Sequence, residues 1–313
     1  MKNIIFDRYS RMQLDKINKY AETPETFIKE CEANYQFQLD MVAEKLSGRD
    51  DNCSIILLSG PSASGKTTTA HKLSMSFERR GVKAPVVSLD DFFLGKEHYQ
   101  RLPDGSLDME SITTLDIPHL KYCLNKLLET GSCDFPTFDF KTSSRADKIN
   151  HIELGENDIL IIEGIHALNP ILTEGIPNDR IIKIYVSVRT KFMNGEESIF
   201  EPKTIRLMRR MLRDKRDRNH SPEETLEMWD HIVEGEIKYI DPFRDLVDVK
   251  IDTTLDYEPC IFHNFLYPLL DKIDKSNGDL RELLKMYYGL EMFTDIDENL
   301  LPENSLLREF VGE

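Results

Sequence analysis

The sequence predicts an α/β fold with three layers, in which helices cover both faces of a five-stranded, mainly parallel sheet. Three observations predict it. A glycine-rich segment joins a short apolar run to a helical stretch. Further short apolar runs alternate with helical stretches, which is typical of parallel strands buried on both faces. Acidic residues follow several of these runs, at the sheet edge where such folds bind ligands.

The glycine-rich segment, residues 60–67, matches the phosphate-binding P-loop pattern G-x-x-x-x-G-K-[ST]. The run Ser54–Ser59 before it predicts a strand, and the segment after it predicts a helix that stops at Gly81. A plain Gly/Ser turn feeding a helix is the alternative. We expect the backbone and the helix N-terminus to bind nucleotide phosphates, the Lys66 amine to reach the β- and γ-phosphates, and the Thr67 hydroxyl to hold Mg²⁺. The predicted cofactor-binding residues are Gly60, Ser62, Ala63, Ser64, Gly65, Lys66, Thr67 and Thr68.

The other apolar runs supply the rest of the sheet, and the last of them alternates as an edge strand does. They are Val86–Leu89, Asp158–Ile162, Ile181–Val188 and Leu246–Ile251. About 70 residues separate the second and third strands, too many for a simple crossover. This insert contains a predicted helix, Ile117–Glu129. It also contains two β-like runs, Asp134–Phe140 and Ile149–Leu154, which flank the polar tip Lys141–Lys148 and predict a hairpin.

The chain divides into three predicted parts: a helical extension (1–50), the main domain (51–272) and an acidic, partly helical tail (273–313). Thr23 and Pro24 predict the start of a helix that ends near Gly48. Its apolar stripe is Ile28, Cys31, Tyr35, Leu39, Val42 and Leu46. This stripe packs either on the main domain or on another subunit, so a homo-oligomer stays open.

Composition limits the possible partners. The 313 residues carry 40 basic and 56 acidic side chains, a net charge of −16, which argues against nucleic acid and anionic membranes as partners. The five cysteines form no C-x-x-C pair, so the sequence indicates neither a disulfide scaffold nor a zinc site. The N-terminal apolar stretch is too short for a signal peptide, and we expect a cytoplasmic protein.

Two acidic residues follow predicted strands. Asp90 follows the second strand, where a carboxylate could accept a proton from an attacking hydroxyl or hold Mg²⁺ through water. Capping of a helix is the alternative for Asp90. Glu163 follows the third strand, next to Gly164, and is expected on the metal side. We expect His166 to be a packed or capping residue.

Residues 203–218 hold eight basic and two acidic side chains, which leaves −22 for the rest of the chain. Four arginines share one face of the predicted helix, namely Arg206, Arg209, Arg210 and Arg213, and the opposite, buried face is Ile205, Met208, Met211 and Leu212. A solvated basic face is possible. A phosphate-binding lid fits better beside a P-loop, because the planar guanidinium binds phosphate oxygens.

Four further motifs resemble the uridine kinase and phosphoribulokinase family. They are S-L-D-D-F-F, P-T-F-D-F-K-T-S-S-R, I-I-E-G-I-H-A-L-N and R-L-M-R-R-M-L-R-D-K-R-D-R, spread between about Ser54 and Leu270. The resemblance implies transfer of the γ-phosphoryl of ATP, or of GTP, to the primary hydroxyl of a nucleoside, with Mg²⁺ as cofactor. It places the catalytic aspartate on Asp90, the metal-side glutamate on Glu163 and the ribose-binding aspartate on Asp108. The lid arginines implied are Arg210, Arg213 and Arg218.

The hairpin departs from the family pattern Y-D-F-x-x-H-x-R, in which Tyr and His contact the pyrimidine. Here Phe138 replaces the tyrosine and Ser143 the histidine, while Phe140 and Arg145 are kept. A ring can still stack on a base, but the hydrogen-bond donors are lost. The sequence therefore leaves three functions open: a uridine- or cytidine-kinase-like enzyme; the same reaction on a sugar phosphate, a pantothenate-like acid or a purine nucleoside; and a nucleotide-binding regulator with little transferase activity.

Overall fold

The computed structural model describes residues 4–5, 10–47, 54–101, 105–140, 142–276 and 280–312, and Gly48 and Lys141 lie outside them. The strands described are β1 (Ile4–Ile5), β2 (Arg11–Gln13), β3 (Ile55–Ser59), β4 (Val86–Ser88), β5 (Ser132–Phe135), β6 (Phe138–Asp139), β7 (Ser144–Arg145), β8 (Asn150–Glu153), β9 (Leu160–Glu163), β10 (Ile181–Ser187), β11 (Lys191–Asn194), β12 (Glu197–Phe200) and β13 (Val249–Asp252). The α-helices described are α1 (Leu14–Ala21), α2 (Pro24–Ser47), α3 (Lys66–Glu78), α4 (Ile117–Thr130), α5 (Pro202–Arg218), α6 (Pro222–Tyr239), α7 (Glu258–Phe265), α8 (Tyr267–Leu270), α9 (Arg281–Leu290) and α10 (Arg308–Val311).

The central sheet is parallel throughout and has the strand order β1-β13-β10-β3-β9-β4 in the described part of the chain. All five predicted strands are present, so the predicted α/β fold is confirmed. A sixth strand, the two-residue β1, pairs beside β13, which therefore lies inside the sheet rather than at its edge. Two residues are too few to show any period, so this strand had no signal of its own in the sequence.

Strand β3 shows why the sheet is covered on both sides. Its side chains alternate, as they must along a strand. Ile56 and Leu58 belong to one buried apolar cluster, whereas Ile55 and Leu57 belong to another. The first cluster includes residues of α2, α3, α5 and α7, and the second is built around α4 and the insert. The three-layer arrangement follows from these two separate cores.

Helix α2 begins at the predicted Pro24 and packs on the P-loop helix α3. The Tyr35 hydroxyl and the Thr69 hydroxyl are 2.7 Å apart, and both residues are buried. Leu306 and Phe310 of the C-terminal segment belong to the same apolar cluster as α2 and are fully buried. The predicted boundaries at residues 50 and 272 remain predictions, since both flanking segments share this core.

The insert between β4 and β9 contains the predicted helix, observed as α4, and two antiparallel strand pairs. Strand β5 pairs with β8, and the short strands β6 and β7 pair nearer the tip. Asp116 caps α4, because its side chain accepts a hydrogen bond from the backbone N–H of His119. Across the ranges described, no helix is both long and apolar enough to cross a bilayer.

Candidate active site

The P-loop joins β3 to α3, and neighbouring atoms come so close to Gly60 and Gly65 that a side chain at either position would collide with them. A Cβ at Gly60 would collide with the carbonyl oxygen of Val186 on the neighbouring strand. Gly65 has a φ of +81°, the left-handed region that favours glycine, and a Cβ there would lie 2.7 Å from Leu306 Cδ1. The loop is therefore packed tightly between the sheet and the C-terminal segment.

Two side chains from distant helices hold the loop backbone at Ser62. Its N–H donates to Glu236 Oε1 of α6 at 2.8 Å, and its carbonyl accepts from Arg206 of α5 at 3.0 Å. Arg206 and Glu236 form a two-bond ion pair with N···O distances of 2.6 and 2.9 Å. The sequence placed Arg206 on the phosphate-facing side of α5. That expectation is wrong, because Arg206 is buried and fully used in supporting the loop.

Arg209 departs from the sequence expectation in the same way. It is 0% exposed, and its guanidinium makes a two-bond ion pair with Glu258 at 2.6 and 2.7 Å. It also donates to the backbone carbonyls of Thr253 at 2.7 Å and Ala63 at 3.3 Å. A buried charge is tolerated only with such complete pairing. Arg209 is thus a structural support beneath the P-loop rather than part of a lid.

Of the arginines implied by the family resemblance, Arg210 contacts the P-loop directly. Arg210 donates to Ser62 Oγ at 2.8 Å and to Asp214 at 2.7 Å, and Arg218 donates to the second oxygen of Asp214 at 2.7 Å. Arg213 is half-buried, and burial, reinforced by the charge of Arg210, lowers its pKa. Asp214 was not predicted as a site residue. Its signal was the i,i+4 spacing to both Arg210 and Arg218.

The acidic side of the site lies at the carboxyl ends of β4 and β9. Glu163 Oε1 accepts hydrogen bonds from the Ser88 hydroxyl at 2.8 Å and from the Thr67 hydroxyl at 3.3 Å. Asp90 lies in the short helical turn Leu89–Phe92 after β4, and Ser88 Oγ accepts from its backbone N–H at 3.3 Å. Parallel strands bring their carboxyl ends to one edge, which is why residues so distant in sequence meet here.

Charges at this edge act on one another. Burial, reinforced by the charge of Asp90, raises the pKa of Glu163 to about 7. Burial also raises the pKa of Asp90, and the ammonium group of Lys66 opposes that rise. Burial lowers the pKa of Lys66, and the negative charge of Glu163 opposes that lowering. Asp90, Lys66 and Glu163 are therefore electrostatic neighbours at this edge of the sheet.

The raised pKa of Glu163 gives a pH-dependent stability prediction. Glu163→Gln should raise the melting temperature at pH 8 and change it little at pH 4.5. The wild-type carboxyl is protonated in both folded and unfolded states below its ordinary pKa of 4.5, and it must ionise while buried above about pH 7. The difference in melting temperature between Glu163→Gln and the wild type should therefore grow as the pH rises from 4.5 to about 7. Thermal unfolding from pH 4.5 to 8, with the exposed Glu156→Gln as control, measures it, and a pH-independent difference contradicts it.

Three phenylalanines form a ring cluster beside the Asp90 turn. The rings of Phe138 and Phe140 are 5.2 Å apart, and Phe93 lies 5.9 Å from Phe138 and 6.3 Å from Phe140. The hairpin is fastened to this turn, because Asp91 Oδ1 accepts from the backbone N–H of Phe138 at 3.1 Å. Phe140 is 62% exposed, so the cluster has an open apolar surface.

Asp108 is buried, and its Oδ2 accepts from the Tyr239 hydroxyl of α6 at 2.7 Å. The His166 ring lies 5.7 Å from the Tyr239 ring. Burial lowers the pKa of His166 to about 4, so it is neutral at physiological pH, as the packing role predicted for it requires. Arg145 of the hairpin pairs with Asp116 at 2.6 Å.

Glu110 is an acidic neighbour of the site that the sequence analysis did not single out. Its side chain packs against α6 so closely that a Cβ at Gly235 would lie 2.8 Å from Glu110 Cβ. Burial raises the pKa of Glu110, with Arg210 opposing that rise. No local motif marks this position, since its place depends on the packing of the insert against α6.

Comparison with known proteins decides the family. The sequence model of the Phosphoribulokinase / Uridine kinase family matches residues 55–257. The chain belongs to this family. The resemblance inferred from the motifs is thereby confirmed, and the protein is a P-loop kinase of the uridine kinase and phosphoribulokinase family. The matched range contains Asp90, Glu163 and the arginines of α5 but ends before α9 and α10.

Individual relatives agree with this placement. The uridine kinase of Lactobacillus helveticus is 26% identical over 207 residues, covering 66% of this chain and 89% of that protein. Uridine-cytidine kinase B of Dictyostelium discoideum is 26% identical over 203 residues, covering 64% and 75%. A proposed fructose transport system kinase from Silicibacter sp. TM1040 superposes with a TM-score of 0.50 at 19% identity, covering 72% of this chain and 98% of that chain. That last likeness concerns the fold alone.

Proposed function

We propose that this kinase transfers the γ-phosphoryl group of ATP to the primary hydroxyl of a nucleoside, with uridine or cytidine as the first candidates. One observation carries the proposal. Asp91, the residue after Asp90 in the sequence, accepts a hydrogen bond from the Phe138 N–H. This bond holds the exposed aromatic cluster beside the turn that contains Asp90. An aromatic face suits a nucleobase, and an acidic side chain next to it suits a hydroxyl that must lose its proton.

The nucleotide would bind along residues 60–68. Helix α3 starts at Lys66, so its first N–H groups, which have no partner within the helix, would donate hydrogen bonds to the phosphates. Lys66, Arg210 and Arg213 would surround the transferring group with positive charge, and Arg218 would extend this charge toward solvent. The guanidinium groups stabilise charge that spreads over the phosphate oxygens during transfer. GTP would satisfy the same phosphate contacts.

Mg²⁺ fits the oxygen donors at this edge. Within the residues described, no group of three or more His, Cys, Asp and Glu side chains could hold a metal by itself. Mg²⁺ is commonly bound through one or two carboxylates together with substrate phosphates. Thr67, Glu163 and Asp90 would hold it here, and when bound it would neutralise charge on the phosphate oxygens.

Asp90 would act as the proton acceptor. The acceptor hydroxyl loses its proton to the Asp90 carboxylate, its oxygen forms a bond to the γ-phosphorus, and the bond from that phosphorus to the β,γ-bridging oxygen breaks, which releases ADP. Burial raises the pKa of Asp90, and this makes its carboxylate a stronger base. Phe138 and Phe140 would stack on the base, while Asp108 would accept hydrogen bonds from sugar hydroxyls. Arg145 would act at the outer end of the hairpin.

An acceptor panel tests the proposal. We expect ATP-dependent ADP release to rise at least about 100-fold above the rate without acceptor when uridine or cytidine is added. Purine nucleosides, sugar phosphates and pantothenate, assayed in parallel, report the alternative acceptors, and mass spectrometry identifies the phosphorylated product. If only one of these alternative acceptors stimulates ADP release, the substrate differs from our first candidates, but the reaction is still phosphoryl transfer. Slow hydrolysis that no acceptor changes would contradict the transferase and favour a nucleotide-binding regulator.

A further inference from the structure

The C-terminal segment places a carboxylate on the P-loop helix. Glu309 Oε2 accepts a hydrogen bond from the Thr68 hydroxyl at 2.6 Å and another from the Thr68 backbone N–H at 3.3 Å. Glu309 is half-buried and belongs to α10, more than 50 residues beyond the range matched by the family. Its contact with the site therefore comes from outside the range that the family model matches.

The hydrogen-bond donors that Glu309 occupies are groups that bind phosphate in a P-loop. Thr68 is the third residue of α3, and the first four N–H groups of a helix have no partner within the helix. In a P-loop these groups cradle the α- and β-phosphates of the nucleotide. A negatively charged group at a helix N-terminus is favoured for the same reason whether it is a phosphate or a carboxylate. Glu309 thus makes the contact that a phosphate oxygen would otherwise make.

The segment around Glu309 is anchored on both sides. Leu306 lies against Gly65, where a Cβ would come within 2.7 Å of it. The Phe310 ring is fully buried, and the Arg209 guanidinium lies 5.1 Å from its centroid. The Arg216 guanidinium donates to the Arg308 carbonyl at 3.2 Å. These contacts place the Glu309 side chain beside Thr68.

Positive charge around Glu309, from Lys66 and from Arg213 of α5, makes this contact favourable without nucleotide. Burial lowers the pKa of Lys66 and of Arg213, and in both cases the charge of Glu309 opposes that lowering. One carboxylate thus compensates part of the charge that the phosphates would compensate when bound. A triphosphate carries several negative charges and would compete strongly for the same groups.

We propose that residues 306–310 form an autoinhibitory cover, in which Glu309 occupies the Thr68 donors until the nucleotide phosphates displace it. The cover weakens nucleotide binding, because the contact with Glu309 must break first. This inference needs only that the P-loop binds nucleotide, and it is independent of which acceptor is phosphorylated.

Calorimetric titration of the full chain with ATP, without acceptor, tests the proposal. Glu309→Gln keeps the size of the side chain and removes its charge, and we expect it to bind ATP about tenfold more tightly, equal to about 1.4 kcal/mol. Glu303→Gln makes the same charge change at an exposed position of the same segment and should leave the Kd unchanged. Equal or weaker binding by Glu309→Gln overturns the proposal.

Hydrogen exchange of the wild-type chain gives a second test that needs no variant. The amides of Phe310 and Val311 donate to the Leu307 carbonyl, so they report on the segment. Saturating ATP should speed their exchange several-fold if the cover is displaced. Slower exchange would mean that the segment stays in place and supports the nucleotide, which also overturns the proposal. If no acceptor is phosphorylated, ATP binding and hydrogen exchange can still be measured. Failure of the proposed function can therefore be distinguished from failure of this inference.

Discussion

Asp90→Asn is expected to lower kcat by about 10²–10⁴-fold while leaving the Kd for ATP within about twofold of the wild-type value. The amide has nearly the same shape as the carboxyl, but it cannot accept the proton of the acceptor hydroxyl. The backbone N–H of Asp90 would keep its hydrogen bond to Ser88 Oγ, so the turn after β4 should survive. Steady-state ADP release with the best acceptor, together with calorimetric ATP binding, measures both quantities.

An Asp→Asn change at the exposed Asp179 is the matched control, and its kcat should equal that of the wild type. Comparable melting temperatures for both variants would exclude unfolding as the cause of lost activity. Wild-type turnover by Asp90→Asn would remove this carboxylate from the reaction. Loss of ATP binding together with turnover would mean that Asp90 acts mainly through the metal and nucleotide that it holds, rather than as the proton acceptor.

Arg209→Met is expected to lower the free energy of unfolding by about 3–5 kcal/mol, because it leaves the Glu258 carboxylate buried without its partner. Both side chains of this ion pair are 0% exposed, so water cannot replace the lost contacts. The backbone carbonyl of Ala63 in the P-loop would lose a hydrogen bond at the same time. Urea unfolding followed by circular dichroism measures the change.

Arg218→Met removes an arginine from the same helix at an exposed position and should cost no more than about 1 kcal/mol. The double change of Arg209 and Glu258 to Met should recover much of the stability, because a buried pair of apolar side chains leaves no uncompensated charge. If the double variant were as unstable as Arg209→Met, the loss would come from packing and the carbonyl contacts rather than from the unpaired carboxylate.

The parts of the molecule that sequence analysis predicted well are those with local patterns. The five main strands and α3 show short apolar runs beside recognisable breaks, and the P-loop motif lies between two of them. Asp90 and Glu163 follow strands directly, so a parallel sheet brings them to one edge without further information. Their catalytic and metal-binding roles remain predictions that the variants above would test.

The parts that sequence analysis missed depend on partners far apart in the chain. Arg206 and Arg209 have the spacing of an exposed basic face, but their partners Glu236 and Glu258 lie 30 and 49 residues away. Burial of such a face depends on carboxylates arriving from other helices, which periodicity along one helix does not show. The same limit applies to Glu309, which reaches Thr68 across 241 residues.

The supports beneath Ser62 and Ala63 have a consequence for how the loop meets its ligand. Glu236 and Arg206 fasten the backbone of Ser62 on both its N–H and its carbonyl side, and Arg209 fastens Ala63. A loop restrained in this way has lost most of its conformational freedom during folding. Nucleotide binding then does not cost the conformational entropy that ordering a flexible loop would require. Preorganisation of this kind raises affinity without adding any contact to the ligand.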